Sequence, residues 1–326
     1  MRKGVIILLI IAAALTLLGV ATATVGIVAM VDTGSLTDEK YQTKVYESEE
    51  GIDSIEIKTS TTDVELRSYN KEGYKVECFE EKSISHTVTV KDGKLLIEAR
   101  DTRKWYEHIN FYTKPTKITV YIPAGEYSSL LVKSSTGKTT VDKDFTFDSA
   151  TVNCSTGDVA FSASTKDSLT IKVSTGRITV GKAENGAFTH GDLTLTASSG
   201  NITVHDLDCK DARITVSTGK TTIYGMRCDS FTSTGDTGDL SMKNVIAKGS
   251  ITVKRDTGDV TFNKCDAAKL DILTDTGDVS GSLLSEKVFI YKTDTGDVNL
   301  PGTTTGGTCK ITTDTGDIDI RIVTTK

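Results

Sequence analysis

Ten aspartates recur in two series toward the C-terminus of this 326-residue chain. Asp236, Asp256, Asp275, Asp294 and Asp314 each precede a Thr-Gly pair, and Asp239, Asp259, Asp278, Asp297 and Asp317 each follow it. Carboxylates are hard oxygen ligands, and calcium accepts several of them in flexible geometry. If the copies stack on neighbouring strands, like carboxylates fall about 4.8 Å apart and repel one another. Solvent screening, raised pKa values or bound cations would offset that repulsion. The pattern therefore offers two readings, a Ca2+-binding edge or a solvated acidic face whose Asp side chains cap the turn backbone. The glycine-rich nonapeptide repeat that binds Ca2+ has a shorter spacing, which counts against strong sites. On either reading the edge is expected to attract cationic peptides or polymers, less strongly as salt rises.

Other chemistries have less support. Asp-Thr-Gly is also the local signature of aspartic proteases, and Val31-Asp-Thr-Gly-Ser35 matches it. That reaction needs two carboxylates sharing a proton at about 3 Å, whereas the remaining copies belong to a repeat. His86, His108, His190 and His205 are the only histidines, and none falls in a recognisable Ser or Cys nucleophile motif. His205 with Asp206 and Asp208 is a minor metal candidate. There is no phosphate-binding glycine loop and no His-Glu-x-x-His. Six cysteines form no C-x-x-C pair. Cys209 and Cys228 each lie ten residues before a repeat glycine, so stacked coils would set them side by side, as a disulfide or as two buried thiols. A net charge of −6 argues against nucleic acid as the main partner.

The elements that must position these residues follow a fixed period. Gly137, Gly157, Gly176, Gly200, Gly219, Gly238, Gly258, Gly277, Gly296 and Gly316 are separated by 19 or 20 residues, with one gap of 24. Each sits between β-branched runs, as in Ile171-Lys-Val-Ser-Thr-Gly-Arg-Ile-Thr-Val180. A period of this length predicts a solenoid. Glycine supplies the sharp corner. Ile171, Val173, Ile178 and Val180 share a face predicted to point inward, and only stacking can hide that face. The early corners read Ser-Thr-Gly, with Ser135, Ser155, Ser174 and Ser217, and Ser198 in a Ser-Ser-Gly variant. The 24-residue gap holds Gly181–Gly191, read as a bulge in one corner. Uniform coils and short loops predict little groove.

Residues 1–31 read as a transmembrane anchor with its N-terminus inside. Arg2 and Lys3 precede Val5–Val31, 27 residues without a charge, and Asp32, Asp38 and Glu39 follow. A cleaved signal peptide with Ala21-Thr-Ala23 as its small-residue site is the competing reading. Residues 32–44 form a stalk. Residues 45–130 form an N-terminal β cap and the first coils, with a hairpin turn at Lys91-Asp-Gly-Lys94 and a decayed corner at Thr62. Residues 131–326 form the regular Thr-Gly repeat. The aromatic patch Trp105–Tyr112 is read as a capping core or a ligand contact. The last coil carries no evident cap, so its edge is exposed.

The stretch Lys117-Ile-Thr-Val-Tyr-Ile-Pro-Ala-Gly-Glu-Tyr-Ser-Ser-Leu-Leu-Val-Lys-Ser-Ser-Thr-Gly-Lys-Thr-Thr-Val141 joins a strand ending in aliphatic-Pro to the first Ser-Thr-Gly corner. It resembles the bacterial "putative adhesin" β-helix domain family, which includes LiaG-type membrane-anchored envelope proteins. The resemblance spans about residues 45–322. It implies an all-β chain, a parallel β-solenoid of about 19–20 residues per coil behind one transmembrane helix, displayed outside the cytoplasm on a single-pass anchor. It implies no catalytic residues and no cofactor. The expected function is a non-catalytic binding or structural module at the cell envelope, with the membrane engaged through Val5–Val31. Its further partner is an envelope polymer, a cationic peptide or another protein. The alternatives are a carbohydrate-active enzyme on a β-helix and an accessory protein of an envelope-stress response.

Overall fold

A computed structural model describes residues 40–103, 114–181 and 188–323. The described chain is all-β, and no helix in it is long and apolar enough to cross a membrane. Val5–Val31, the Asp32 copy of Asp-Thr-Gly and the Trp105–Tyr112 patch lie outside the described residues.

The repeat builds a parallel solenoid. Each rung has a strand before the glycine and a strand after it. The first wall runs through Phe145–Thr156, Ser164–Thr175 and Asp192–Ser199 to the later repeats, all parallel, with register shifts at Thr165/Ser168, Cys228/Ser230 and Ala247/Ser250. The second wall runs through Val159–Phe161, Ile178–Val180 and Ile202–Asp208 onward. Alternate residues point into the space between the walls. Ile171, Val173, Ile178 and Val180 are all buried there, together with their counterparts in neighbouring rungs. Burial of each such side chain is worth roughly 1.5–3 kcal/mol, and every rung depends on its neighbours for it.

The glycines form one column. Each repeat glycine has a φ between 128° and 155°. A Cβ on Gly219 would lie 2.2 Å from the Gly200 carbonyl oxygen, and one on Gly157 would lie 2.1 Å from that of Gly137. The backbone itself therefore occupies the place a side chain would need. Gly137 in turn faces the Thr62 carbonyl, so Thr62 does hold the corner position of the first rung. A second column of left-handed residues, Asp206, Gly225, Asn244 and Lys264, turns the opposite corner. The glycine period does not announce it, because Asp and Asn adopt this conformation without glycine.

Chain order and rung order part at both ends. At the start the strands are β1 (Tyr41–Ser48), β2 (Ser54–Tyr69), β3 (Tyr74–Glu81), β4 (Ile84–Lys91), β5 (Lys94–Asp101), β6 (Thr116–Pro123) and β7 (Gly125–Thr136). β2 lies between β5 and β6 on one side and β7 with Thr139–Val141 on the other. β4 and β3 then cover β5 and β6 in antiparallel fashion, and β1 covers β3. The β4–β5 turn is the Asp92-Gly93 hairpin, with φ of 51° and 74°. At the other end Gly307–Thr315 inserts between Val260–Thr276 and Lys287–Thr295. The glycine column accordingly runs Gly277, Gly316, Gly296. This corrects the expectation that the last coil forms the exposed edge. The C-terminal coil is interior, and the rung of Lys287–Asn299 is the outermost.

Candidate binding groove

The acidic columns first show what they bond. The post-glycine carboxylates accept backbone N–H groups of the next rung. Asp259 N donates to Asp239 Oδ1 at 3.2 Å, Asp278 N to Asp259 Oδ1 at 2.9 Å and Asp317 N to Asp278 Oδ1 at 2.8 Å. Asp297 N closes the series on Asp317 Oδ1 at 2.8 Å. The same bond recurs in the serine half, where Lys138 N, Arg177 N and Lys220 N meet Asp63, Asp158 and Asn201. An amide in Asn201 serves as well as a carboxylate, so the position requires an acceptor and not a charge. Among the pre-glycine acids, Asp256 and Asp294 pair with Lys254 and Lys292. Among the described residues, only Cys78, Glu80 and His86 bring three potential metal-ligand atoms within 4.8 Å of one another. His205 stacks on Tyr224, ring centroids 5.1 Å apart, rather than joining Asp206 and Asp208 in such a group.

The Cys78, Glu80 and His86 cluster is the polar lid of the core. All three are at most 1 % exposed. Glu80 accepts from His86 N at 2.6 Å, from His86 Nδ1 at 2.9 Å, from Lys44 Nζ at 2.9 Å and from Gln42 Nε2 at 3.1 Å. With Nδ1 donating, His86 Nε2 is left to accept from the Thr59 hydroxyl at 3.2 Å. Burial holds the His86 pKa below the ordinary value, against the pull of Glu80. Burial, with Glu80 adding to it, pushes the Cys78 thiol up to about 12. The hydrogen bond to Glu80 raises Lys44. Four donors satisfy Glu80, which is what a buried carboxylate requires. Sequence spacing does not reveal this network, because Thr59, Glu80 and His86 come from three separate strands.

A trough of about 790 Å³ runs along the outer side of the first wall, beginning at Ala99 and Asp101 near the end of β5. Its floor is made of the corner serines Ser135, Ser155, Ser174 and Ser198. Beside them Lys58, Lys133, Asn153 and Lys172 stand in one register column. Lys58 is held by Glu56 at 2.7 Å and Glu98 at 3.0 Å. Lys133 and Lys172 are exposed and have no acidic partner within 4.0 Å among the described residues. The small serines leave the space, and the stacking repeats it rung by rung. Sequence reasoning expected little groove; the cap end supplies the wall it left out. The corner-serine column continues toward the far end as Asp236, Asp256 and Asp275, so the corner changes from hydroxyl-rich to acidic along the rod.

Cys209 and Cys228 lie side by side in adjacent rungs, and Cys209 N donates to Arg227 O at 2.9 Å. Both are free thiols. Contact with Cys228 and burial raise the Cys209 pKa far above its ordinary value.

The Toastrack DUF4097 family matches residues 52–187 and again 162–326, which together take in both walls, the trough and the outermost rung. This chain belongs to that family. As in the sequence reading, several solved structures similar to this Toastrack DUF4097 chain are described as "putative adhesins". A "putative adhesin" from Parabacteroides distasonis shares 14% identity at a TM-score of 0.51, covering 87% of this chain and 98% of its own. A "putative adhesin" from Parabacteroides merdae shares 10% at 0.50 over the same shares of the two chains. At these identities the likeness is one of fold. No curated protein matches the chain.

Proposed function

We propose that this Toastrack DUF4097 chain is a non-catalytic binding module of the cell envelope, anchored through Val5–Val31 with its solenoid outside the cytoplasm. Its ligand is an extended anionic polymer lying along the trough. The observation that carries this reading is the pair of uncompensated cations, Lys133 and Lys172, flanking Asn153 above a floor of serine hydroxyls. Alternate rungs are about 9.6 Å apart, so the two ammonium groups meet a chain that repeats its charge along its length better than a single compact anion. The adhesin descriptions of similar structures are in keeping with binding.

The test is binding of polyglycerol phosphate and of polygalacturonate to the full chain in detergent, with uncharged dextran as control. Lys133→Glu with Lys172→Glu should weaken binding to both polyanions at least tenfold and flatten its salt dependence. Undiminished binding by that variant, or equal binding of dextran, would refute the proposal.

A further inference from the structure

The two ends of the rod are finished differently. At the β1 end the core closes under antiparallel strands whose inward polar groups, Glu80, His86, Lys44 and Gln42, are bonded to one another. At the far end the rung of Lys287–Asn299 closes nothing. Among the described residues, Lys287–Thr295 pairs only with Gly307–Thr315, and Val298–Asn299 only with Ile318–Ile322. One backbone edge of each strand is therefore unpaired.

The core columns run out at this rung. Ile311 and Ile318 are 1 % and 0 % exposed, and their neighbours in the same columns, Tyr291 and Val298, are 56 % and 37 % exposed. Val288 and Ile290 are exposed on the outer side. Four of the seven large exposed hydrophobics of the described chain thus lie on one rung, where an unpaired edge invites strand addition.

We infer that this open end is the docking surface for a second copy of the same chain, joined tail to tail about a two-fold axis. What completes a truncated rung is a further strand that pairs with its free ladder edge and covers its exposed side chains. The described C-terminal coil does not cover this edge, since Val323 N is bonded to Leu283 O in an interior rung. The charges fit a self-complementary arrangement. Lys292 and Asp294 form an ion pair at 2.9 Å in the single chain. An antiparallel edge pairing centred on Thr293 sets Lys292 opposite Asp294 of the second copy, and Asp294 opposite its Lys292. A contact of this kind is isologous, so it uses the open edge of both copies and closes at two chains. The chain enters the rod at Lys40, beside β1. The dimer therefore holds the two N-terminal segments at opposite ends of a doubled rod, a geometry that would bridge two surfaces. None of this depends on the trough, which remains on the side of each rod.

Sedimentation equilibrium of the full chain in density-matched detergent reads the state directly. Wild type should give the mass of two chains, and Tyr291→Lys with Val298→Lys should give one, with hydrogen exchange confirming that the inner rungs stay folded. Lys292→Asp alone should raise the dimer dissociation constant at least tenfold, and Lys292→Asp with Asp294→Lys should restore it. A single-chain mass at all concentrations overturns the inference. So does a dimer that survives the Tyr291 and Val298 changes, which would place the contact elsewhere, the Val5–Val31 segment included. Open-ended growth, or failure of the charge swap to restore the dimer, overturns the two-fold arrangement.

Discussion

Replacing Gly219 by alanine tests why the repeat has glycine at all. The new Cβ would sit 2.2 Å from the Gly200 carbonyl oxygen, with Gly219 at a φ of 143°. Ordinary contact needs more than 1 Å beyond that, in a ladder spaced about 4.8 Å. The rungs must part at the corner or the backbone must rotate. Parting them opens three bonds: Gly200 N to Thr218 O at 2.9 Å, Ile202 N to Lys220 O at 3.0 Å and Lys220 N to Asn201 Oδ1 at 2.9 Å. At about 1 kcal/mol each, plus about 1–3 kcal/mol for a non-glycine residue in this backbone region, the cost is about 4–6 kcal/mol. Because a stacked rod unfolds by segments, the appropriate readout is local. Hydrogen exchange followed by mass spectrometry should show deprotection of residues 192–227, with residues 54–141 unchanged. Gly302→Ala is the control, since a Cβ there meets nothing within 4 Å, and its effect should stay within about 0.5 kcal/mol. Unaltered exchange around residue 219 in Gly219→Ala would show that carbonyl approach does not impose the glycine column.

Two further predictions concern buried polar groups. Arg255 is 1 % exposed and fits the space that Gly235 leaves, with Nη2 donating to Ser233 Oγ at 2.8 Å and Nε without a partner. Burial lowers its pKa to about 10. Arg255→Met with Ser233→Ala removes the orphaned Nε together with both ends of the Nη2 bond and should stabilise that segment by about 1–3 kcal/mol, read by denaturant-dependent exchange; a loss of stability would contradict the assignment. His190, 3 % exposed and bonded through Nδ1 to Thr165 Oγ1 at 3.0 Å, has its pKa lowered by burial to about 4. The unfolded chain binds that proton more readily, so the contribution of neutral His190 is intact above the unfolded value near 6.5 and is lost as pH falls toward about 4, by roughly 3 kcal/mol in total. Melting temperatures from pH 7.5 to 4 should show a steeper fall in wild type than in His190→Gln; equal slopes would refute this.

Several features were legible because they are local. The Thr-Gly period gives rung length, alternation gives the inward face, and Asp-Gly gives the β4–β5 turn. The pairing of Cys209 with Cys228 follows from equal offsets to their glycines. The second corner was missed because its residues, Asp206, Gly225, Asn244 and Lys264, share a conformation and not a residue type. The Thr59, His86 and Glu80 network was missed because its members stand in separate strands that only the cap brings together.

By itself, then, the sequence determined that this chain winds into stacked rungs with glycine at one corner, since side-chain alternation and corner sterics are written residue by residue. Only the tertiary structure decided which rung lies on which. The bonds between rungs are backbone bonds, nearly indifferent to side-chain identity, so one Thr-Gly rung can stack on any other. Thus β2 slips between later strands at one end, Gly307–Thr315 slips inside an earlier rung at the other, and Lys287–Asn299 is left as the open edge.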